Sequence, residues 1–249
     1  MAWQIRISAV LRAWLCRAAV LLACLPADNA QADPAFHLRD PDWLVIFASI
    51  ETASRKTHAA VGMKRALGAP RLDSSGFRLG VKWGESVEPA ERRPRHGRQY
   101  RTEFHATLGY ERRIGDSFLM VSAGPELSAA YVETRTRRQL SQRLRPRLQL
   151  DLWMTPSDTT FVQLGAYLIP GTDSRIWARL AAGWALAPGV YVGPETEAYG
   201  EGDYHKLRLG LHLTGLRLLG LRWRIALGGQ VSRNEPGGFY AVLGLNWLR

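Results

Sequence analysis

Cysteine is almost absent. The chain has two in 249 residues, Cys16 and Cys24, both close to the N-terminus. That excludes a disulfide framework and any thiolate metal site downstream of them. Long apolar runs are lacking too. Beyond the N-terminal segment, no stretch reaches the ~18 or more apolar residues that a membrane helix requires. The six histidines, His37, His58, His96, His105, His205 and His212, are scattered, with no HxxxH or HExxH spacing. Neither a metal site nor a cofactor is expected from them. No GxSxG elbow is present to mark a hydrolase nucleophile. Acids are short relative to bases, 22 against 33, for a formal charge of +11.

What is present begins with an export signal. Arg6, Arg12 and Arg17 precede a short apolar core, AAVLLACLP (18–26), and Ala30-Gln31-Ala32 forms a small-x-small site before Asp33. This reads as a bacterial secretory signal over 1–32, cleaved after Ala32. Leu21-Leu22-Ala23-Cys24 resembles a lipobox, but it would shorten the apolar core further and bypass the Ala-x-Ala site. The signal holds three of the basic residues and one of the acidic ones, so the remaining 33–249 carries a formal +9. No Gly, Ser or Pro-rich linker divides that remainder, which reads as one domain.

Within it the dominant pattern has period 2. In YHKLRLGLHLTGLRLLGLRWRIALGGQV (204–231), Leu207, Leu209, Leu211 and Leu213 alternate with Arg208, Gly210 and His212, and Leu219, Leu221, Trp223, Ile225 and Leu227 alternate with Gly220, Arg222, Arg224 and Ala226. Such alternation puts one set on each face of a strand. A soluble sandwich and a transmembrane barrel both produce it, the barrel with the apolar face toward lipid. Twelve alternating segments are legible, at about 43–52, 58–66, 75–86, 99–112, 117–131, 144–155, 159–169, 174–186, 190–199, 204–217, 219–231 and 239–249. Several match the ~9–11 residues of a tilted membrane-crossing strand. An even strand count, with tight turns such as Ile114-Gly115-Asp116 and Ala187-Pro188-Gly189 alternating with longer connections at 85–97, 132–142 and 232–238, predicts an all-β, antiparallel outer-membrane barrel. The connection 67–75 is a long one on the tight-turn side.

The phase of each segment nominates lumen residues. The polar candidates are Glu126, Asp151, Arg179, Glu195, Glu197, Arg208, His212, Arg222 and Arg224, the cations expected to pair with the acids because buried charge needs partners. The aromatic candidates are Trp153, Tyr167, Trp177, Tyr191, Tyr199 and Tyr240. Aromatic faces stack on sugar rings, but they also fill a barrel of this size. An 8-stranded interior is packed and 16 strands leave a channel, so twelve strands with this much Trp, Tyr and Arg inside favour a plugged bore. Trp43, Tyr100, Tyr110, Tyr131, Trp223 and Trp247, near segment ends, suit interfacial girdles. Glu195 and Glu197 lie near 7 Å apart on one strand face, a spacing seen in glycoside hydrolysis; a lumen ion pair with Arg179 or Arg208 explains them more simply. His105 and His212 both fall on the lumen side. The basic stretches 91–98 and 135–145 would suggest nucleic acid in a cytosolic protein. In an exported barrel they meet lipopolysaccharide phosphates or acidic polysaccharide, and no nucleic-acid partner is expected. GPE occurs twice, at Gly124-Pro125-Glu126 and Gly193-Pro194-Glu195.

The block AGWALAPGVYVGPETEAYGEGDYHKLRLGLHLTGLR (182–217), with DLWMTP (151–156), AGPEL (123–127) and DWLVIFASIET (42–52), resembles the cellulose biosynthesis protein BcsS family. The resemblance runs over about 42–249. It implies a bacterial outer-membrane β-barrel associated with cellulose production. It implies no known catalytic activity. The expected partners are outer-membrane lipid or lipopolysaccharide, with cellulose and other cellulose-secretion proteins beside them. Three functions follow for testing: a non-enzymatic barrel accessory to cellulose biosynthesis or secretion, a small outer-membrane enzyme acting on lipid or polysaccharide, and a narrow porin-like channel.

Overall fold

The computed structural model describes residues 43–54, 56–68, 71–89, 98–133, 138–233 and 235–249. The signal segment 1–32 lies outside them. Every regular element among these residues is a strand. The order is β1 (Leu44–Ala53), β2 (Thr57–Leu67), β3 (Gly76–Pro89), β4 (Arg98–Ile114), β5 (Ser117–Glu133), β6 (Arg138–Ser157), β7 (Thr160–Ile169), β8 (Arg175–Ala187), β9 (Val190–Glu201), β10 (Tyr204–Leu218), β11 (Leu221–Ser232) and β12 (Glu235–Leu248). Each strand pairs antiparallel with its sequence neighbours, and β12 closes on β1 from Val45↔Leu248 to Ala53↔Tyr240. Closure leaves no edge with unpaired backbone groups, which is the condition for a sheet to stand in hydrocarbon.

The faces are inside-out relative to a soluble protein. On β10, Leu207, Leu209 and Leu211 are 52%, 67% and 63% exposed, while Arg208 and His212 between them are 1% and 2% exposed. Leucines that fold outward and arginines that fold inward make sense only when lipid is the outer solvent. The phase holds along β10 until a bulge between Thr214 and Leu216. There Gly215 takes φ 91°, and a Cβ on it would lie 1.9 Å from the Gly189 carbonyl oxygen. Beyond the bulge Leu216 and Leu218 continue the outward face, and Arg217 pairs with Arg222.

Two connections differ from the expectation. The stretch 132–142 is not a long loop: β5 runs to Glu133 and β6 begins at Arg138. Alternation is diluted there, because Gln142 and Pro146 interrupt the outward leucines Leu140, Leu144 and Leu148. Likewise β11 and β12 extend into 232–238, so that hairpin is tight. The contrast between short and long connections is weaker than expected, and the extra residues lengthen strands β4 to β6 instead. Residues 71–75 lie against the barrel end, with Leu72 buried, the Ser74 carbonyl accepting from inward-facing Arg78, and the Ser75 hydroxyl accepting from the Arg113 backbone N–H at 2.9 Å.

Both GPE triplets perform one backbone task. The β4–β5 ladder skips Ala106 and Thr107 opposite Pro125 and Gly124, and the β8–β9 ladder skips Ala182 and Gly183 opposite Pro194 and Gly193. Proline has no N–H to offer the ladder. The freed strand then comes close over the glycine: a Cβ on Gly124 would sit 1.9 Å from the Ala106 oxygen, and one on Gly193 2.1 Å from the Ala182 oxygen. The glutamate that follows projects inward.

Candidate functional site

The lumen gathers most of the chemistry. Toward the end bearing the β9–β10 hairpin, charged side chains span the bore. Arg101 on β4 donates to both carboxylate oxygens of Glu201 on β9, at 2.6 and 3.1 Å. Arg175 on β8 donates to Glu103 on β4 (2.7 Å), Glu126 on β5 (2.9 Å) and Glu201 (3.4 Å). In a ring of twelve, β4 and β9 are nearly opposite, so these pairs cross the lumen rather than follow its wall. Glu126 is also held by Arg147 at 2.7 Å. Arg147 lies 3.7 Å over the Tyr167 ring, which stacks on Trp177 at 5.5 Å. The Tyr199 hydroxyl donates to Glu201 at 2.6 Å. A second cluster joins Arg208 to Glu51 of β1 (2.5 Å), Glu197 (3.1 Å) and Gln230 (3.1 Å), with the Tyr240 ring beneath its guanidinium and Lys206 also 3.2 Å from Glu197.

Nearer the other end the filling is aromatic. Trp153 stacks on Phe161 with centroids 4.7 Å apart, Tyr191 meets Phe161 at 4.8 Å, and the His212 ring lies edge-on to Phe161 at 5.4 Å. Phe161 is fully buried. His212 completes the second GPE site. Its Nε2 lies 3.1 Å from the Ala182 carbonyl that Pro194 cannot satisfy, and its Nδ1 lies 3.0 Å from the Thr214 hydroxyl. A carbonyl only accepts, so Nε2 carries the proton, and in the neutral ring Nδ1 accepts from Thr214. Glu195 receives bonds from Arg224 and, at 3.1 Å, from the Tyr240 hydroxyl. On β4, Glu111 binds Lys64 (2.9 Å) and Arg113 (2.8 Å), with Arg78 at 3.5 Å.

The residues nominated from the sequence all lie on the inward phase, but their partners are not always those expected. Glu197 meets Arg208, whereas Arg179 donates to Gln163 at 2.5 Å, and Asp151 accepts from Gln149 at 2.8 Å. Arg222 faces Asn246 of β12 across the ladder. His105 faces inward beside Lys82 of β3, and no hydrogen bond joins it to His212 among the described residues. The Glu195 and Glu197 carboxylates are each engaged by cations rather than facing one another as a free pair. The residues that bridge the bore most directly, Arg101, Glu103, Arg175 and Glu201, were missed, together with Phe161, Glu111 and Arg147. The signal for them was there: each shares the parity of a nominated neighbour on its own or the adjoining strand. Chemically the arrangement neutralises charge and fills space. It sets no nucleophile against a base among the described residues.

The fold has counterparts among solved outer-membrane barrels. The translocator domain of the autotransporter NalP from Neisseria meningitidis superposes with TM-score 0.52 at 10% identity, over 84% of this chain and 90% of that one. The transport unit of the autotransporter AIDA-I from Escherichia coli gives 0.47 at 9% identity, over 88% and 93%. The KdgM porin gives 0.44 at 12%, over 82% and 98%. At such identities the likeness is one of fold alone. No curated protein matches the chain. The family described as cellulose biosynthesis protein BcsS matches residues 45–249, and the chain belongs to that family, as a cellulose-related barrel of the outer membrane.

Proposed function

We propose that this protein is a non-enzymatic accessory of cellulose biosynthesis or secretion, exported by a signal cleaved after Ala32, that stands in the outer membrane as a closed barrel and positions other parts of the secretion apparatus. The observation that carries this reading is the set of ion pairs joining β4 to β8 and β9 across the bore. A polymer path needs a free bore. Here Arg101, Glu103, Glu126, Arg175 and Glu201 occupy it, and Trp153, Phe161 and Tyr191 fill it again further along. Buried ion networks are poor sources of net stability, so a lumen held this way serves closure and shape.

The test is an in-frame deletion, with cellulose scored by dye binding and enzymatic digestion, and the protein located by membrane fractionation. Loss of cellulose at unchanged synthase level, with the protein in the outer membrane, supports the accessory role; normal cellulose output overturns it. Purified barrel in planar bilayers should show no resolved ion steps, and porin-sized steps would overturn closure. Against the enzymatic alternative, the Glu195→Gln/Glu197→Gln double variant, checked for a folded barrel, should keep cellulose output.

A further inference from the structure

The outer wall is not uniformly leucine. Where β8, β9 and β10 approach the β9–β10 hairpin, the outward positions turn small. Ladder register sets Ala178 beside Ala198, and Gly200 beside Ile176 on one side and His205 on the other. These residues floor a hollow of about 440 Å³ on the lipid-facing side, within the usual range for a bound organic ligand. Ile176 forms one wall, and Leu207 with Val231, paired across β10 and β11, forms the other. Beyond that ridge lies a second hollow of about 500 Å³, bordered by Leu209, Gly229 and Phe239. Two apolar channels thus run side by side along one ridge.

The head of the first hollow is polar. His205 is exposed on the outward face, its ring close over Gly200, where a Cβ would meet Nδ1 at 3.2 Å. The Arg233 backbone N–H donates to the His205 carbonyl at 2.9 Å, which brings the two side chains to the same corner. The Arg233 guanidinium donates to the Asp203 backbone carbonyl at 3.4 Å. This corner lies at the strand ends opposite Trp43, where the chain enters the barrel, so it faces the outer leaflet when the chain enters from the periplasm.

We propose that this wall is a binding site for a phosphorylated, multiply acylated lipid of the outer leaflet. Acyl chains lie in the two hollows on either side of the Leu207–Val231 ridge, and a headgroup phosphate is held by Arg233 and His205. The charge at the head selects phosphate, since arginine presents paired donors to its oxygens. The two hollows select a lipid with more than one chain, which neither free phosphate nor a single-chain detergent supplies. The inference rests on the outer-membrane reading above.

The test is native mass spectrometry of the intact barrel in detergent, titrated with phosphorylated lipid A and with the same lipid dephosphorylated. The wild type should bind the phosphorylated form roughly tenfold or more tightly, the scale of one charge-assisted contact. Ala198→Trp, which fills the first hollow, should abolish the adduct. Arg233→Gln should leave binding but remove the preference for phosphate. Ala123→Trp, outward on β5, should change nothing. Heat-modifiable gel mobility verifies that each variant is a folded barrel. Equal binding of both lipids, or an adduct undiminished by Ala198→Trp, overturns the site. If fractionation places the protein outside the outer membrane, this inference and the functional reading fail together. An outer-membrane barrel without phosphate preference sinks the lipid site alone.

Discussion

The two ends of the lumen carry different chemistry. Near the β9–β10 hairpin the filling is ionic: Arg175 alone serves Glu103, Glu126 and Glu201. Near the opposite end it is aromatic: Phe161 touches Trp153, Tyr191 and His212. Ion pairs cost desolvation, and they hold only where every charge finds partners. Aromatic rings fill volume without that condition. The ionic layer therefore fails by the loss of one partner, whereas the aromatic layer fails by the loss of volume.

The largest expected effect is at the ionic hub. Arg175→Ala leaves Glu103 facing Arg101 at 3.9 Å and takes a cation from Glu126 and Glu201, which keep Arg147 and Arg101. It should cost about 3–5 kcal/mol, read as a lowered urea midpoint by tryptophan fluorescence in lipid vesicles. The same variant should introduce resolved ion steps in planar bilayers. If the loss comes from stranded charge, combining Arg175→Met with Glu103→Gln, the carboxylate whose other cation, Arg101, stands 3.9 Å away, should recover part of it; no recovery would mean that Arg175 acts through packing. Phe161→Ala attacks the aromatic layer by volume and should cost about 3 kcal/mol, with no rescue from charge changes nearby. His212→Ala leaves the Ala182 carbonyl buried without its donor and should cost about 1–3 kcal/mol. A smaller effect tests the turn outside both layers. Leu219 holds φ 56° ahead of Gly220 at 72°, a left-handed pair that favours Asn-Gly. Leu219→Asn should therefore stabilise by about 1 kcal/mol, seen as a raised midpoint in the same titration.

Much of this architecture was legible in the chain. Strand spacing and phase came from alternation alone, and ten of the twelve strands lie within three residues of the expected bounds at both ends. The exceptions are instructive. β6 begins six residues early because Gln142 and Pro146 break its outward face, and pairing with the well-patterned β5 carries it through. β12 starts four residues early for a related reason: its first positions alternate poorly and are held by β11. The GPE repeat was visible, but its meaning was not. Only the skipped ladder shows that proline withholds an N–H, glycine admits a neighbouring carbonyl, and glutamate enters the lumen.

Local pattern alone settled which face of each strand is apolar and how many strands there are. Those properties depend on neighbours two residues apart. That the leucines point outward and the arginines inward, so that the surroundings are lipid, was decided by the closed sheet. Which cation meets which carboxylate depended on the closed ring. Arg101 and Glu201 are 100 residues apart in the chain, and Arg208 and Glu51 are 157 apart. They meet because the circumference and register of twelve strands bring β4 within side-chain reach of β9, and β10 within reach of β1, and no local periodicity encodes that distance.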